Sequence, residues 1–296
     1  MIYNKSLGDK VFDKINVLLM IIIAFLTIYP FWYALVGSLN TGNDYLLGGV
    51  YFWPRKFTLD NYIAVFRQSE IMGAYQVTLA RTVLGTAAHI IFTGLFAYGF
   101  SRKNLMGKEI YAKIGLITMF FGGGLIPHFL LVKSLGLLNR FEVYIVLHLF
   151  SFFNVLIFQS FFRGIPDEIN ESAKIDGAGE YRIFFWLIVP LSMPVIAAIA
   201  LFQGVGHWNS FFDAMIYAPK KELQTVQVYM MKLIISSDEA AKMAKEQSVY
   251  KPEEETVNSR TIQLATMMVT TGPILILYPF LQKYFVKGMM IGSVKG

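Results

Sequence analysis

At 296 residues, with 55% hydrophobic side chains, 16% charged ones and a mean hydropathy of +0.50, the chain carries more apolar surface than one water-soluble core can hide. A soluble chain has about 25% charged residues, so the solvent that fits this composition is a bilayer. The net charge of +6 suits loops rich in Lys and Arg beside a membrane rather than a nucleic-acid binder, and the absence of cysteine excludes disulfide, iron–sulfur and thiolate–zinc chemistry.

A spanning helix takes about 20 mostly apolar residues, because the hydrocarbon layer is about 30 Å thick and each residue rises about 1.5 Å. Six stretches qualify: 15–39, 82–100, 114–132, 143–162, 183–206 and 262–281. The predicted fold is therefore all-α and integral to the membrane, with a six-helix transmembrane domain over 15–287. The first stretch is uncharged and is followed by no small-x-small cleavage site, so it is expected to be an anchor rather than a signal peptide. Six spans place both termini on one side. With that side inward, the inner segments 1–14, 101–113, 163–182 and 282–296 carry 13 basic and 8 acidic residues, against 13 and 12 in the longer outer segments. The positive-inside rule then makes both termini cytoplasmic.

Pro30, Pro127, Pro190, Pro194, Pro273 and Pro279 fall within these stretches. Each removes a backbone donor and bends its helix. Gly122, Gly123 and Gly124, followed by Pro127, mark the sharpest expected break. Asn154, Gln159 and Gln203 lie inside spans, where polar groups face the interior. Two roles are open to them: lining a substrate path, and hydrogen bonding between helices. Trp208 and Asn209, at the outer end of the fifth stretch, join them as pathway candidates.

Residues 163–182, RGIPDEINESAKIDGAGEYR, form an inner connection that is amphipathic rather than a plain basic tether. Pro166 suits a helix start, with Asp167 and Glu168 in the first turn complementing the helix dipole. Ile165, Ile169 and Ala173 recur every four residues as an apolar strip. Gly177 then breaks the helix, and a second short helix leads through Tyr181 and Phe184 into the fifth stretch. Such a segment either docks into a soluble partner or packs beneath the bundle. The outer segment 207–261 is long, and its 236–260 part is polar and charged. Contact with a partner and a solvated insertion are both open for it.

No Walker A pattern is present, so the chain supplies no ATP hydrolysis. His89, His128, His148 and His207 lack metal-ligand spacing, and no serine or carboxylate pair makes a catalytic constellation. A secondary transporter, the main rival, is expected to bury ionisable groups deep in its spans. These spans offer only His89, His128 and His148.

The run Glu171-Ser172-Ala173, Asp176-Gly177-Ala178, then Phe184, Ile188 and Pro190 resembles the EAA loop of bacterial ABC importer permeases, with Ser172 in place of the middle alanine. The chain further resembles the carbohydrate-uptake branch, and within it the shorter of the two maltose-type permease subunits. Tyr29-Pro30-Phe31, Trp53-Pro54, Ala97-Tyr98-Gly99 with Ser101-Arg102, Trp208-Asn209-Ser210-Phe211, and the closing Gly288, Gly292, Lys295 and Gly296 match in order and spacing. Within that branch the chain resembles permeases for fragments of complex polysaccharides.

The resemblance implies a type I importer fold in the bacterial inner membrane. It implies a heterodimer with a second permease, an ABC ATPase dimer and an extracytoplasmic solute-binding protein that delivers an oligosaccharide. No cofactor is expected on this chain; ATP and Mg belong to the partner ATPase. The EAA loop becomes the coupling helix. Ile169, Glu171, Ser172, Ala173, Ile175, Asp176, Gly177 and Ala178 would meet the ATPase, and Gly292, Lys295 and Gly296 of the tail 288–296 would reach it too. An ABC permease for a non-sugar substrate stays open beside this expectation.

Overall fold

A computed structural model describes residues 7–246 and 257–293, the side chains of 237–246, of 277–293, and of Leu7 and Ser69 excepted. Among the described residues the fold is all-helical. Its nearest approach to a sheet is one antiparallel bridge between Asn40 and Phe57. In chain order the helices are α1 (Leu7–Ser38), α2 (Gly42–Leu46), α3 (Asp60–Arg67), α4 (Ser69–Ser101), α5 (Lys108–Phe120), α6 (Leu125–Ser134), α7 (Glu142–Val146), α8 (Phe152–Phe162) and α9 (Asp167–Ile175). There follow α10 (Glu180–Ile183), a π-helical turn (Phe184–Ile188), α11 (Val189–Leu191), α12 (Met193–Asn209), α13 (Phe212–Tyr217), α14 (Val226–Glu246) and α15 (Ser259–Ser293).

Two helices among the described residues are long and apolar enough to cross a membrane, at Gly8–Ser38 and Glu70–Ser101. Counting each sharply bent pair as one span raises the number to four. Three of the expected spans are interrupted. The 114–132 stretch divides into α5 and α6, with a bend of 116° between them. The glycine triplet lies at that corner, with Gly124 at φ +82°. Pro127 sits in the first turn of α6, where a missing N–H costs nothing.

The 183–206 stretch turns by 84° at Ser192. Pro190 and Pro194, four residues apart, each deny the helix a donor, and the wide π turn precedes the corner. The 143–162 stretch breaks at 147–151, and Ser151 caps α8 by accepting a hydrogen bond from the Asn154 N–H. In the 207–261 segment, expected as a loop, α13 and α14 are helical. The last helix continues without a break from Ser259 to Ser293, so Gly292 is helical rather than part of a separate tail. Lys295 and Gly296 lie outside the described residues.

The chain folds as two compact units. One comprises residues 1–69 and 230–272, the other 70–229 and 273–296. In the first, asparagines close the end of α1. Asn61 donates to the carbonyls of Ser38 (2.8 Å) and Asn40 (2.9 Å), and Asn258 donates to that of Gly42 (2.6 Å). These side chains satisfy carbonyls that a helix end and its following turn leave open. Nothing among the described residues buries the apolar middle of α1, as suits a lipid-facing or partner-facing helix.

The second unit has two buried clusters. The larger joins α4, α8, α9, α10 and α12 through Tyr98, Phe100, Phe152, Phe158, Ala173, Ile183 and Ile199. The smaller gathers Val132, Val143, Tyr144, Ala214 and Tyr217.

Candidate coupling site

The 163–182 segment folds as two short helices around a glycine turn. Pro166 stands at the N-cap of α9, with Asp167 and Glu168 in the first turn. At the other end Gly177 adopts φ +78°. Its N–H donates to the Lys174 carbonyl (3.0 Å), and the Ala178 N–H donates to the Ala173 carbonyl (2.9 Å). This pair of bonds is a Schellman closure, which requires a left-handed residue at this place. A Cβ at Gly177 meets nothing within 4 Å, so backbone conformation, not space, selects glycine. Gly177→Ala is therefore expected to destabilise the turn by about 1 kcal/mol, and Gly177→Asn by clearly less, because Asn tolerates left-handed backbone. Hydrogen exchange at 174–180 measures the difference.

The apolar strip points inward. Ala173 is buried in the larger cluster, Ile165 packs against that cluster, and Ile169 is half-buried. The expectation that Ala173 forms part of the outer docking face is corrected accordingly, for its methyl is spent on anchoring α9. Asn170 is buried beside it. Glu171, Ser172, Asp176 and Gly177 are exposed, and Ile175 is 87% exposed. Among the described residues Glu171 makes no ion pair. The outward face thus offers a free carboxylate and one apolar knob.

Behind this face lies a groove of about 1090 Å³, bordered by Arg102, Lys103, Lys108, Asp167, Glu171 and Lys174. Lys103 pairs with Asp167 at 2.6 Å. Glu180, the first residue of α10, receives Lys174 at 2.7 Å, Arg102 at 2.8 Å and the Tyr98 hydroxyl at 2.7 Å. Lys174 foremost, with the Tyr98 and Arg102 donors, holds its carboxyl at about 2, below the ordinary 4.5. The folded chain therefore favours the charged form. The stabilisation is complete above about pH 4.5 and fades as pH falls toward 2. In an acid titration of thermal unfolding, wild type is expected to lose more stability over this window than Glu180→Gln.

The pathway candidates divide. The Asn154 amide lies 2.8 Å from His89 Nε2, and Gln159 donates to the Phe100 carbonyl at 2.9 Å, both buried. These are hydrogen bonds between helices, the second of the two roles open to them. Trp208 is buried, with its ring 6.1 Å from that of Tyr75. Gln203 is half-buried and Asn209 exposed.

Sequence reasoning missed a buried ion pair. Arg81 of α4 is fully buried, and it reaches Asp213 through two contacts, at 3.2 and 2.5 Å. Its guanidinium stacks 4.4 Å from the centroid of Tyr144. The expected span began one residue after Arg81, which hid it.

Residues 15–291 match the family described as binding-protein-dependent transport system inner membrane component. The chain belongs to this family. It is thus a transmembrane permease of the ABC importer type, and the family's subunits are not themselves catalytic. Protein LplC of Bacillus subtilis (strain 168) is 38% identical, over 99% of this chain and 98% of that protein. The polygalacturonan/rhamnogalacturonan transport system permease protein YtcP of the same strain is 36% identical, over 97% and 99%. The permease is also similar to a chain in the crystal structure of a bacterial ABC transporter that imports the acidic polysaccharide alginate. There the TM-score is 0.86 at 28% identity, covering 95% of this chain and 99% of that one.

Proposed function

We propose that the permease is one of two transmembrane subunits of an ATP-driven importer, through which an oligosaccharide handed over by an extracytoplasmic binding protein crosses the inner membrane. The observation that carries this reading is full-length similarity to sugar permeases together with the exposed α9–Gly177–α10 joint. YtcP and the alginate importer both take their names from acidic polysaccharides, so acidic oligosaccharide fragments are the first substrates to test.

In this reading the chain crosses the bilayer six times, at 15–39 in α1, 82–100 in α4, 114–132 across the bent pair α5 and α6, 143–162, 183–206 across the bend into α12, and 262–281 in α15. Both termini are cytoplasmic, which puts α9 on the side of the ATPase. Glu171 offers a carboxylate to a basic group of that subunit, Ile175 seats in an apolar pocket, and Ser172, Asp176 and Gly177 complete the contact. ATP closes the ATPase dimer, and the joint carries that closure into the helices as rigid-body motion.

Mild-detergent purification of the tagged chain, followed by mass spectrometry, tests the assembly. A second permease, an ABC ATPase and a solute-binding protein are expected with it. Recovery of the chain alone or as a homodimer would overturn the proposal. Within the assembly, Glu171→Ala and Ile175→Asp are each expected to reduce ATPase retention by about tenfold, the effect of losing roughly 1.4 kcal/mol of contact. Retention at the wild-type level in both variants would remove these residues from the interface.

A further inference from the structure

A coupling segment that touches the ATPase is useful only if its displacement reaches the helices. The covalent route runs from α10 through the π turn into α12. A second route is visible in the side chains, and it runs to α4.

Tyr98 lies in the last turn of α4, and Arg102 is the residue just past the helix end, its N–H donating back to the Gly99 carbonyl at 3.2 Å. The Arg102 guanidinium lies 4.3 Å from the centroid of the Tyr98 ring and also donates to the Tyr98 hydroxyl. Both side chains donate to the same oxygen of Glu180, Oε2, while Lys174 takes Oε1. Lys174 is in the last turn of α9, so this one carboxylate spans the Gly177 turn and ties α4, α9 and α10 together. Arg102 also approaches the side-chain oxygen of buried Asn170 at 3.4 Å.

A further ion pair here, Lys103 just past α4 with Asp167 of α9, is largely exposed (83% and 57%) and accordingly weak. Glu180 and Lys174 are half-exposed as well (52% each), but at the Glu180 node Tyr98 is only 7% exposed, Arg102 stacks on it, and three donors converge on one acceptor group. A converged, charge-assisted network holds its geometry better than an isolated surface pair.

We propose that Glu180 is a positioning residue for energy coupling: it locks α9, the Gly177 turn and α10 against the end of α4, so that motion imposed at Glu171 and Ile175 is delivered to α4 as well as to α12. This inference rests on the coupling role proposed above. With the carboxylate removed, the joint still docks, but it swings about Gly177 without dragging α4. ATP is then hydrolysed with less transport.

The test uses the whole importer in liposomes, with its ATPase, second permease and loaded binding protein, and measures oligosaccharide imported per ATP hydrolysed. E180A and E180Q are expected to retain the ATPase subunit while this ratio falls roughly 5-fold or more, the lower end of typical coupling strengths. A merely destabilised protein would lose assembly and hydrolysis together and keep the ratio. Because the chain has no cysteine, R102C/E180C places two thiols at the node. Its ratio is expected to be low as made and to recover when a short bifunctional thiol reagent bridges them. A wild-type ratio in E180A and E180Q would overturn the proposal, and so would a bridged R102C/E180C that stays uncoupled. Absence of ATP-driven import in the wild-type assembly would overturn the coupling role itself. Normal wild-type import with unaltered E180A would sink only the Glu180 lock.

Discussion

Replacing Asp213 with asparagine is expected to destabilise the permease by about 3–5 kcal/mol, the cost of leaving a buried charge without its partner. Arg81 is wholly buried, so its guanidinium needs a partner of opposite charge inside the fold. Asp213 supplies the charge that balances it, and Ser210 fixes the carboxylate by donating to Oδ1 at 2.7 Å. Tyr144, on whose ring the guanidinium rests, donates onward to the Leu223 carbonyl at 2.6 Å, so the pair organises α4, α7, α13 and the turn before α14. An amide at 213 keeps the shape and removes the charge. Thermal unfolding in detergent or nanodiscs measures the loss. R81M/D213L, which removes both charges, is expected to recover most of it, because a buried pair contributes little over an apolar replacement of similar volume. A loss below about 1 kcal/mol in D213N would mean that water reaches the Arg81 head group.

Gly115→Ala is the second large effect. A Cβ there would stand 2.2 to 2.3 Å from three ring atoms of Phe152, where α5 crosses α8. The ring has nowhere to go: it is 4% exposed and meets Phe100 edge-on at 5.8 Å. Overpacking of this kind costs about 1–3 kcal/mol. Trimming the obstacle should relieve it, so G115A is expected to be less harmful beside Phe152→Leu than in the native background. A double-mutant cycle by thermal unfolding reads that difference. Strict additivity would show that the two helices do not meet there.

Much of the coupling segment was legible because its signals are local. Pro166 before two acids marks a helix start, and a glycine after Lys-Ile-Asp marks its stop. The direction of the apolar strip was not legible. Spacing shows that Ile165, Ile169 and Ala173 share a face, but only packing shows that the face is turned inward and leaves Ile175 outside.

The hydropathy windows located apolar mass rather than continuous helix. The glycine triplet announced the corner after α5. Pro190 and Pro194 announced a bend without its 84° size. Residues 147–151 gave little warning, for only His148 and Ser151, the cap of α8, interrupt the apolar run. There the His148 and Leu149 carbonyls turn aside to meet His89 (2.7 Å) and Thr93 (3.3 Å) on α4. Long-range pairs such as Arg81 with Asp213 and Arg102 with Glu180 carry no signal within any window.

ATP-driven import is tested most directly by vesicle uptake. Liposomes holding the purified assembly would be given a binding protein loaded with labelled oligosaccharide outside and ATP inside. Accumulation is expected with ATP and binding protein together, and it should fail with a non-hydrolysable nucleotide or without the binding protein. Uptake that proceeds on an ion gradient alone, indifferent to ATP, would contradict the account and identify a secondary transporter.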